Sequence, residues 1–291
     1  MACHRAAHVP VAPALAHAAM SRLDLPASPP AAAAPTGPGR ALFGFVVDLL
    51  AVAAVSLLLS TALVSLWMLW SALGASGGDP AAVAAQLRQQ PPQPQGVVLV
   101  WITLLSMLPA VLLVYFLRRR ADVGERAASR AALARTSSWA WMLVTGLAVS
   151  GLGMLINWIG ERLGSTPVPS NVAMVEAAFA DSPLFMLGFA IVLAPAYEEL
   201  LFRRVLFGRL WRAGYPILGM LLSGAAFALV HELPGLSDNP WPAMLQLWLV
   251  YGLMGVAFAW VYRRTGTLWA AIGAHALNNA LACALLLSAG G

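Results

Sequence analysis

Two adjacent glutamates and an arginine lie inside a long apolar stretch, in the sequence Glu198-Glu199-Leu-Leu-Phe-Arg203. A charged side chain at the centre of a membrane-spanning helix costs at least about 2.5–3.5 kcal/mol, so such residues usually have a function. The same half of the chain carries two histidines within apolar segments, His231 and His275. Carboxylates and imidazoles are common proton acceptors and donors in catalysis. Together these residues form a candidate site.

The two glutamates have different neighbours if this stretch is helical. Residues four apart share one face of an α-helix, whereas sequence neighbours point about 100° apart. Glu199 therefore faces Arg203, and an ion pair between them would make both charges tolerable in the bilayer. We expect Glu199 and Arg203 to be structural support. Glu198 has no partner on its own helix, and an unpaired carboxylate is a candidate general base.

A short Gly-Tyr-Pro turn links the glutamate segment to the segment that carries His231, so the two predicted helices run antiparallel. Glu198 and His231 lie almost equally far from this turn, at about 25 Å for a rise of 1.5 Å per residue. The two side chains are therefore predicted at similar depth. This requires the helix that carries Glu198 to continue to about Arg212. Arg203 and Arg204 would then lie in a watery cavity or extend to the membrane interface.

Each histidine has a neighbour four residues away on the same helical face: Phe227 precedes His231, and Asn279 follows His275. A single buried histidine is most often a packed residue with a hydrogen bond to a carbonyl. Two histidines and an unpaired glutamate favour a functional site instead. Asn279 is a neutral donor that suits an oxyanion and equally suits contacts between helices. Asn278 points in a different direction.

These residues resemble the CPBP or Abi family of intramembrane endopeptidases, which includes CAAX prenyl proteases and bacteriocin-processing enzymes. The family has three motifs on successive core helices: Glu-Glu-x-x-x-Arg, Phe-x-x-x-His and His-x-x-x-Asn. All three occur here in order, as Glu198-Glu199-x-x-x-Arg203, Phe227-x-x-x-His231 and His275-x-x-x-Asn279. Each motif alone recurs by chance, but three in order on predicted helices are specific. The resemblance covers about residues 180–285.

The resemblance implies hydrolysis of peptide bonds inside the membrane, in a membrane-associated or peptide substrate. Glu198 and His231 would be catalytic by activating water, and His275 and Asn279 by stabilising the oxyanion. An alternative within the family makes Glu198, His231 and His275 the ligands of a divalent metal such as zinc, with water completing the shell. The sequence leaves both the glutamate-dependent protease and the metalloprotease open.

Composition places these residues in a membrane protein. The chain has 291 residues, of which 60% are hydrophobic and 10% charged, and its mean hydropathy is +0.77. Such values predict an all-α transmembrane bundle rather than a soluble domain. The formal charge of +5 does not indicate nucleic-acid binding, because the arginines flank apolar segments. The expected partners are the lipid bilayer and a peptide or membrane-protein substrate.

About seven apolar segments are long enough to cross a bilayer, for which about 20 residues suffice. They cover residues 42–73, 97–117, 137–160, 183–207, 216–233, 241–262 and 267–288. Residues 1–40, rich in Ala and Pro, are predicted to be a disordered cytoplasmic tail. Residues 41–160 would form N-terminal membrane helices, and residues 161–291 a membrane-embedded catalytic core.

The placement of arginines predicts the orientation, because short cytoplasmic loops are enriched in Arg and Lys. Arginines precede the first segment and cluster after the second, fourth and sixth, whereas only Arg88 and Arg162 fall in the other connections. The alternation is consistent at every loop. We therefore predict a multi-pass protein of the cell membrane with a cytoplasmic amino terminus and its carboxyl terminus on the opposite side.

Other functions use similar residues. A transporter or proton relay also places Glu and His at membrane depth, although the sequence has no recognisable inverted repeat. A non-catalytic immunity or scaffold protein of the same family would keep the fold without the chemistry.

One further motif fails, because His231-Glu232 begins like the zinc-protease pattern His-Glu-x-x-His but Pro234 and Gly235 follow. Glu232 is expected at a helix end, facing water.

Overall fold

Helices account for all the regular secondary structure in residues 37–289, the part of the chain that the computed structural model describes. The expected all-α transmembrane bundle is confirmed. The predicted tail lies outside the described residues up to position 36, whereas residues 38–40 already belong to the first helix. Pro38 starts that helix, as proline often does, because the N–H it lacks would have no partner in the first turn.

Within residues 37–289, six helices are long and apolar enough to cross a membrane. They are α1 (Pro38–Ala75), α3 (Gly96–Arg119), α5 (Thr136–Arg162), α7 (Pro183–Arg212), α9 (Trp241–Thr265) and α10 (Leu268–Ala289). A shorter apolar helix of 16 residues, α8 (Pro216–His231), follows α7. Three connecting helices are α2 (Pro80–Gln89), α4 (Val123–Leu133) and α6 (Val172–Asp181). The count agrees with the seven predicted segments, with α8 as the short member.

The connections between spans meet at two ends of the bundle. At one end, Glu125 of α4 pairs with Arg204 and Arg212 of α7. At the other end, Val168 after α5 accepts a hydrogen bond from Asn239 Nδ2, which precedes α9, at 2.7 Å. The arginine-rich connections thus share one end, and the connections poor in arginine share the other. Which end faces the cytoplasm remains a prediction.

Helix α7 continues to Arg212, as the antiparallel arrangement with α8 requires, but it is not a regular α-helix. Two π-helical stretches, Phe189–Leu193 and Leu200–Phe207, flank an α-helical segment, Ala194–Glu199. Pro195 in this segment has no N–H to donate, and its ring would clash with the carbonyl of residue 191 in a regular helix. Wider π turns relieve such conflicts and are frequent at functional sites.

Helices α8 and α9 pack closely because glycines lie at their contact. A Cβ atom added to Gly255 would lie only 2.6 Å from Gly224 Cα. Small residues let the backbones of membrane helices approach each other in this way. The close contact brings His231 at the end of α8 beside Tyr251 of α9, with ring centroids 4.7 Å apart.

A buried carboxylate ties α1 to the rest of the bundle. Asp48 is fully buried and pairs with Arg118 of α3 and Arg209 of α7. The Arg209 Nε donates to Asp48 Oδ2 at 2.9 Å. Because removal of one partner from a buried pair leaves an uncompensated charge, this contact holds three helices together at the arginine-rich end.

Candidate active site

Three helices bring the candidate residues together. Helix α7 supplies Glu198 and Glu199, α8 ends at His231, and α10 carries His275 and Asn279. The Glu198 Oε2 atom lies 3.8 Å from His231 Nε2 and 3.9 Å from His275 Nε2. This oxygen is buried and has no hydrogen-bond partner among the described residues. An unpaired carboxylate oxygen therefore lies close to two imidazole nitrogens.

Contacts at Nδ1 fix the orientation of both imidazoles. His231 Nδ1 lies 2.8 Å from the Phe227 carbonyl oxygen, and His275 Nδ1 lies 2.9 Å from Glu199 Oε1. A carbonyl oxygen and an ionised carboxylate only accept hydrogen bonds, which assigns the donating N–H to Nδ1 in both rings. In the neutral form of each ring, Nε2 is then a free acceptor on the side of Glu198.

Arg203 is fully buried, in contrast to the watery or interfacial position expected from the sequence. Its Nε lies 2.8 Å from Glu199 Oε2, the contact that the four-residue spacing predicts. The guanidinium lies over the rings of Phe227, Phe258 and Phe202, at 4.9, 5.5 and 5.7 Å from their centroids. The face of an aromatic ring attracts a cation, so these rings take the place of water around the charge.

Arg204 lines a cavity at the arginine-rich end of the bundle, in line with one of the positions expected from the sequence. It is buried, and its Nη1 donates to Glu125 Oε1 of α4 at 3.0 Å. Burial alone would raise the pKa of Glu125, but the hydrogen bond and charge of Arg204 lower it below its ordinary value. The expectation failed for Arg203 because Phe227 and Phe258, whose rings lie against its guanidinium, come from helices distant in sequence.

Glu199 links a buried cation to a buried imidazole. One of its oxygens faces Arg203 and the other faces His275 Nδ1. A carboxylate that contacts the second nitrogen of a histidine fixes the tautomer and the direction of the ring. Glu199 is therefore placed to hold His275 in position as well as to neutralise Arg203. The sequence predicts only the contact with Arg203.

Two aromatic residues of α9 complete the site, and sequence reasoning missed them. The ring of Tyr251 stacks on His231 with centroids 4.7 Å apart, and the ring of Phe258 stacks on His275 at 4.9 Å. They lie two turns apart and so share one face of α9. The seven-residue spacing was the one indication in the sequence that both residues face the site. Such spacing is common in any apolar helix, so it does not single out these two residues.

Asn279 has part of its hydrogen-bonding capacity in use. Its Nδ2 donates to the Ala190 carbonyl at 2.8 Å, and its Oδ1 accepts from Asn278 Nδ2 at 3.3 Å. Because an amide nitrogen carries two N–H bonds, one remains for a ligand. Asn278 accepts a hydrogen bond from Ser150 Oγ of α5 at 3.0 Å.

A cavity of about 560 Å³ borders the site. Its wall includes all four predicted catalytic residues, Glu198, His231, His275 and Asn279. Asn171, between α5 and α7, also lines it, so the cavity extends toward the arginine-poor end. Glu199 and Arg203 are not part of the wall and support it from behind.

The arrangement does not fit a zinc site as it stands. Ligands about 2.1 Å from a tetrahedral zinc ion lie about 3.4 Å from each other. The distances of 3.8 and 3.9 Å from Glu198 to His231 and His275 are longer. Across residues 37–289, no group of three His, Cys, Asp or Glu has metal-binding geometry. The residue types suit a metal, and the side chains would have to approach by about 0.5 Å to reach tetrahedral zinc geometry.

Glu232 is buried rather than facing water, which corrects the sequence expectation. Its carboxylate accepts hydrogen bonds from Ser170 N at 3.2 Å and Asn239 Nδ2 at 2.9 Å. Burial alone would raise the pKa of Glu232, but hydrogen bonds from the two loops lower it. Its carbonyl accepts from Trp248 Nε1 at 2.8 Å. These bonds anchor the chain directly after His231.

A bundle of apolar helices around buried carboxylates and histidines defines a multi-pass membrane protein with a polar intramembrane site. Residues 180–281 match the sequence model of the Rce1-like family, described as type II CAAX prenyl endopeptidase Rce1-like. This match contains all three motifs, so the resemblance inferred from them is confirmed for this part of the chain.

The chain is also similar to YdiL of Bacillus subtilis (strain 168), a candidate membrane peptidase by its name. The two are 34% identical over 97 residues, which are 33% of this chain and 35% of YdiL. The chain thus spans about a third of the length of that relative. No solved structure is significantly similar to the chain.

Proposed function

We propose that this protein is an intramembrane endopeptidase, similar to CAAX prenyl proteases, that hydrolyses peptide bonds in a membrane-associated or peptide substrate. The observation that carries the proposal is the unpaired Glu198 Oε2, buried within 4 Å of Nε2 of both His231 and His275. A carboxylate oxygen buried without a hydrogen bond costs free energy, and such groups are concentrated at functional sites. The match of residues 180–281 to a peptidase family supports hydrolysis as the function of this site.

Glu198 and His231 act on the water nucleophile. Their separation of 3.8 Å is too long for a direct hydrogen bond but lets one water molecule bond to both. Glu198 accepts a proton as the water oxygen attacks the scissile carbonyl carbon, while His231 Nε2 orients the water. The tetrahedral intermediate then breaks its C–N bond, and the proton passes from Glu198 to the leaving amine.

His275 and Asn279 stabilise the negative charge on the carbonyl oxygen. Asn279 offers its second Nδ2–H, because the first already donates to Ala190. His275 Nδ1 donates to Glu199, so its Nε2 carries a hydrogen only in the imidazolium form. Glu199 accepts from Nδ1–H of that imidazolium, and the developing oxyanion balances its positive charge. Donors aimed at the developing charge in a dry site contribute strongly to catalysis.

Cleavage of a fluorogenic peptide library by the purified, detergent-solubilised protein tests this function. Glu198→Gln keeps the side-chain shape and removes the base, so we expect the rate to fall about 10²–10⁴-fold. His231→Ala should cause a loss of similar size. The matched control is Glu176→Gln, which changes an exposed acid of α6 and should leave the rate unchanged.

A strong chelator, added to the wild type, separates the two mechanisms. Activity that survives it supports the glutamate-dependent reading, whereas activity that is lost and restored by zinc supports Glu198, His231 and His275 as metal ligands. Equal rates for the wild type, Glu198→Gln and His231→Ala would overturn the assignment of the site. A folded wild type that cleaves neither the peptides of the library nor membrane-protein substrates would favour a non-catalytic role.

A further inference from the structure

A second cavity, of about 870 Å³, lies at the arginine-rich end of the bundle. Helix α7 separates it from the candidate active site: Ala196, Leu200 and Arg204 line this cavity, whereas Tyr197 and Glu198 line the other. The two cavities therefore lie on different faces of α7. The proposed hydrolysis uses no residue of this second cavity.

The acids of this cavity are already engaged. Asp122 caps α4 by accepting a hydrogen bond from Glu125 N at 2.7 Å. The Glu125 side chain closes the capping box and pairs with Arg204 and Arg212. Neither carboxylate forms an ion pair with the other three arginines of the wall, and Asp122 alone cannot balance their charge.

The remaining arginines give the cavity a surplus of positive charge. Arg126, Arg130 and Arg135 line it, and no carboxylate among residues 37–289 pairs with them. Arg119 stands behind this wall, where its carbonyl accepts from Arg204 Nε at 3.3 Å. The Arg119 Nε is buried without a hydrogen-bond partner in the described chain. Such a surplus attracts an anion, and arginine forks suit phosphate oxygens.

The rest of the wall is apolar. Leu200, Leu268 and Ile272 line it together with the rings of Trp211 and Trp269. Helix α4, which carries Arg126 and Arg130, connects the membrane spans α3 and α5, so the cavity lies where the spans leave the bilayer. Positive charge at the rim and apolar side chains along the wall match the two parts of an amphiphile.

We propose that this cavity binds an anionic glycerophospholipid from the adjacent leaflet. The lipid phosphate contacts Arg126 and Arg130, and one acyl chain follows the apolar wall beside Leu268 and Ile272. A zwitterionic lipid binds more weakly, because its ammonium group meets the same arginines. The site is independent of the proposed peptidase activity.

Native mass spectrometry of the full-length protein in mild detergent tests this site, with phosphatidylglycerol and phosphatidylcholine as probes. We expect phosphatidylglycerol to bind at least about tenfold more tightly. Arg126→Gln combined with Arg130→Gln should abolish that preference. The control Arg88→Gln, an exposed arginine of α2 outside the cavity wall, should retain it.

Two further arms distinguish a lipid from a free anion. Ala128 lines the cavity, so Ala128→Trp should narrow it and weaken the binding of phosphatidylglycerol by about tenfold. Inorganic phosphate should displace the lipid only at millimolar concentration. Equal affinity for both lipids, or an unchanged preference in the double arginine variant, would overturn the proposal. Displacement by micromolar phosphate together with a neutral Ala128→Trp would assign the site to free phosphate instead.

Discussion

A single carboxylate, Glu199, holds two buried groups in place. It contacts Arg203 within its own helix and His275 from α10. Four-residue spacing is sufficient to predict the first contact, because it depends only on helix geometry. The contact with His275, and those of Arg203 with the rings of Phe227 and Phe258, depend on how separate helices pack. Apolar residues are so frequent in this chain that their pattern cannot single out these rings.

Glu199→Gln should destabilise the protein by about 3–5 kcal/mol, because it leaves Arg203 as a buried charge without compensation. Unfolding can be followed through the buried thiol of Cys283, which reacts with a fluorescent dye once exposed, in a Cys3→Ser background. Adding Arg203→Met removes both charges and should recover most of the loss.

The exposed acid Glu161 provides the control for this comparison, because Glu161→Gln should not change the unfolding temperature. If Glu199→Gln were as stable as the wild type, the ion pair would not have the structural role assigned to it. If Glu199→Gln combined with Arg203→Met were less stable than Glu199→Gln alone, the contact of Arg203 with the aromatic rings would contribute more to stability than its ion pair with Glu199.

At the scale of helices, the positions of Glu198 and His231 were predictable because one short turn sets the relative depth of α7 and α8. The structure brings their side chains within 3.8 Å. The burial of Glu232 was not predictable in this way, because its partners Ser170 and Asn239 lie in loops before α6 and α9. The π-helical stretches of α7 were not predictable either, because Pro195 is the one feature of the sequence that indicates an irregular helix there.

Gly255→Ala should separate α8 from α9. The added Cβ would lie 2.6 Å from Gly224 Cα, a backbone atom, so the helices must shift. Overpacking of this kind costs about 1–3 kcal/mol. We expect a lower unfolding temperature and, because His231 lies at the end of α8, weaker peptide cleavage.

The matched control is Gly151→Ala in α5, where an added Cβ has no atom within 4 Å. Alanine is also the better helix former, so this variant should be as stable as the wild type or slightly more so. Equal effects of the two substitutions would mean that the close contact of α8 and α9 does not limit stability.

Glu125 makes the contact between α4 and α7 dependent on pH. Its pKa is lower in the folded protein than its ordinary value, because Arg204 outweighs the effect of burial. Its contribution to stability is therefore present above the ordinary pKa of about 4.3 and is lost as the pH falls through the lowered value.

The measurement is the unfolding temperature of the wild type and Glu125→Gln between pH 7 and pH 3. The wild type should be more stable at pH 7, and the two curves should converge in acid. Because Gln can still accept from Asp122 N, the helix cap is retained and the comparison isolates the charge. A constant difference across this range would contradict the role of the carboxylate charge.

At the scale of the whole molecule, the arginine-rich connections share one end of the bundle, and the positive-inside rule predicts that this end is cytoplasmic. Single cysteines in a variant without Cys3 and Cys283 test the orientation. A membrane-impermeant thiol reagent added to intact cells should label Thr166→Cys, between α5 and α6, and not Ala127→Cys in α4. Both residues are exposed. The reverse labelling pattern would invert the orientation.

In the predicted orientation, the candidate active site lies nearer the outer side. His231 ends α8, and the cavity extends toward Asn171 at the arginine-poor end. The number of spans and the bundle class were predictable, because both follow from the length and hydropathy of the segments. The position of the cavities was not, because it depends on which helices are neighbours.

The pair formed by Glu199 and Arg203 joins two residues of the same helix, so it does not need the rest of the fold. During synthesis, α7 emerges from the ribosome before α8, α9 and α10 exist. A pair that forms within α7 reduces the cost of inserting two charged residues into the bilayer. Phe227, Phe258 and His275 close around it only when the later helices arrive. The contact that supports the site therefore also assists membrane insertion of the helix that carries it.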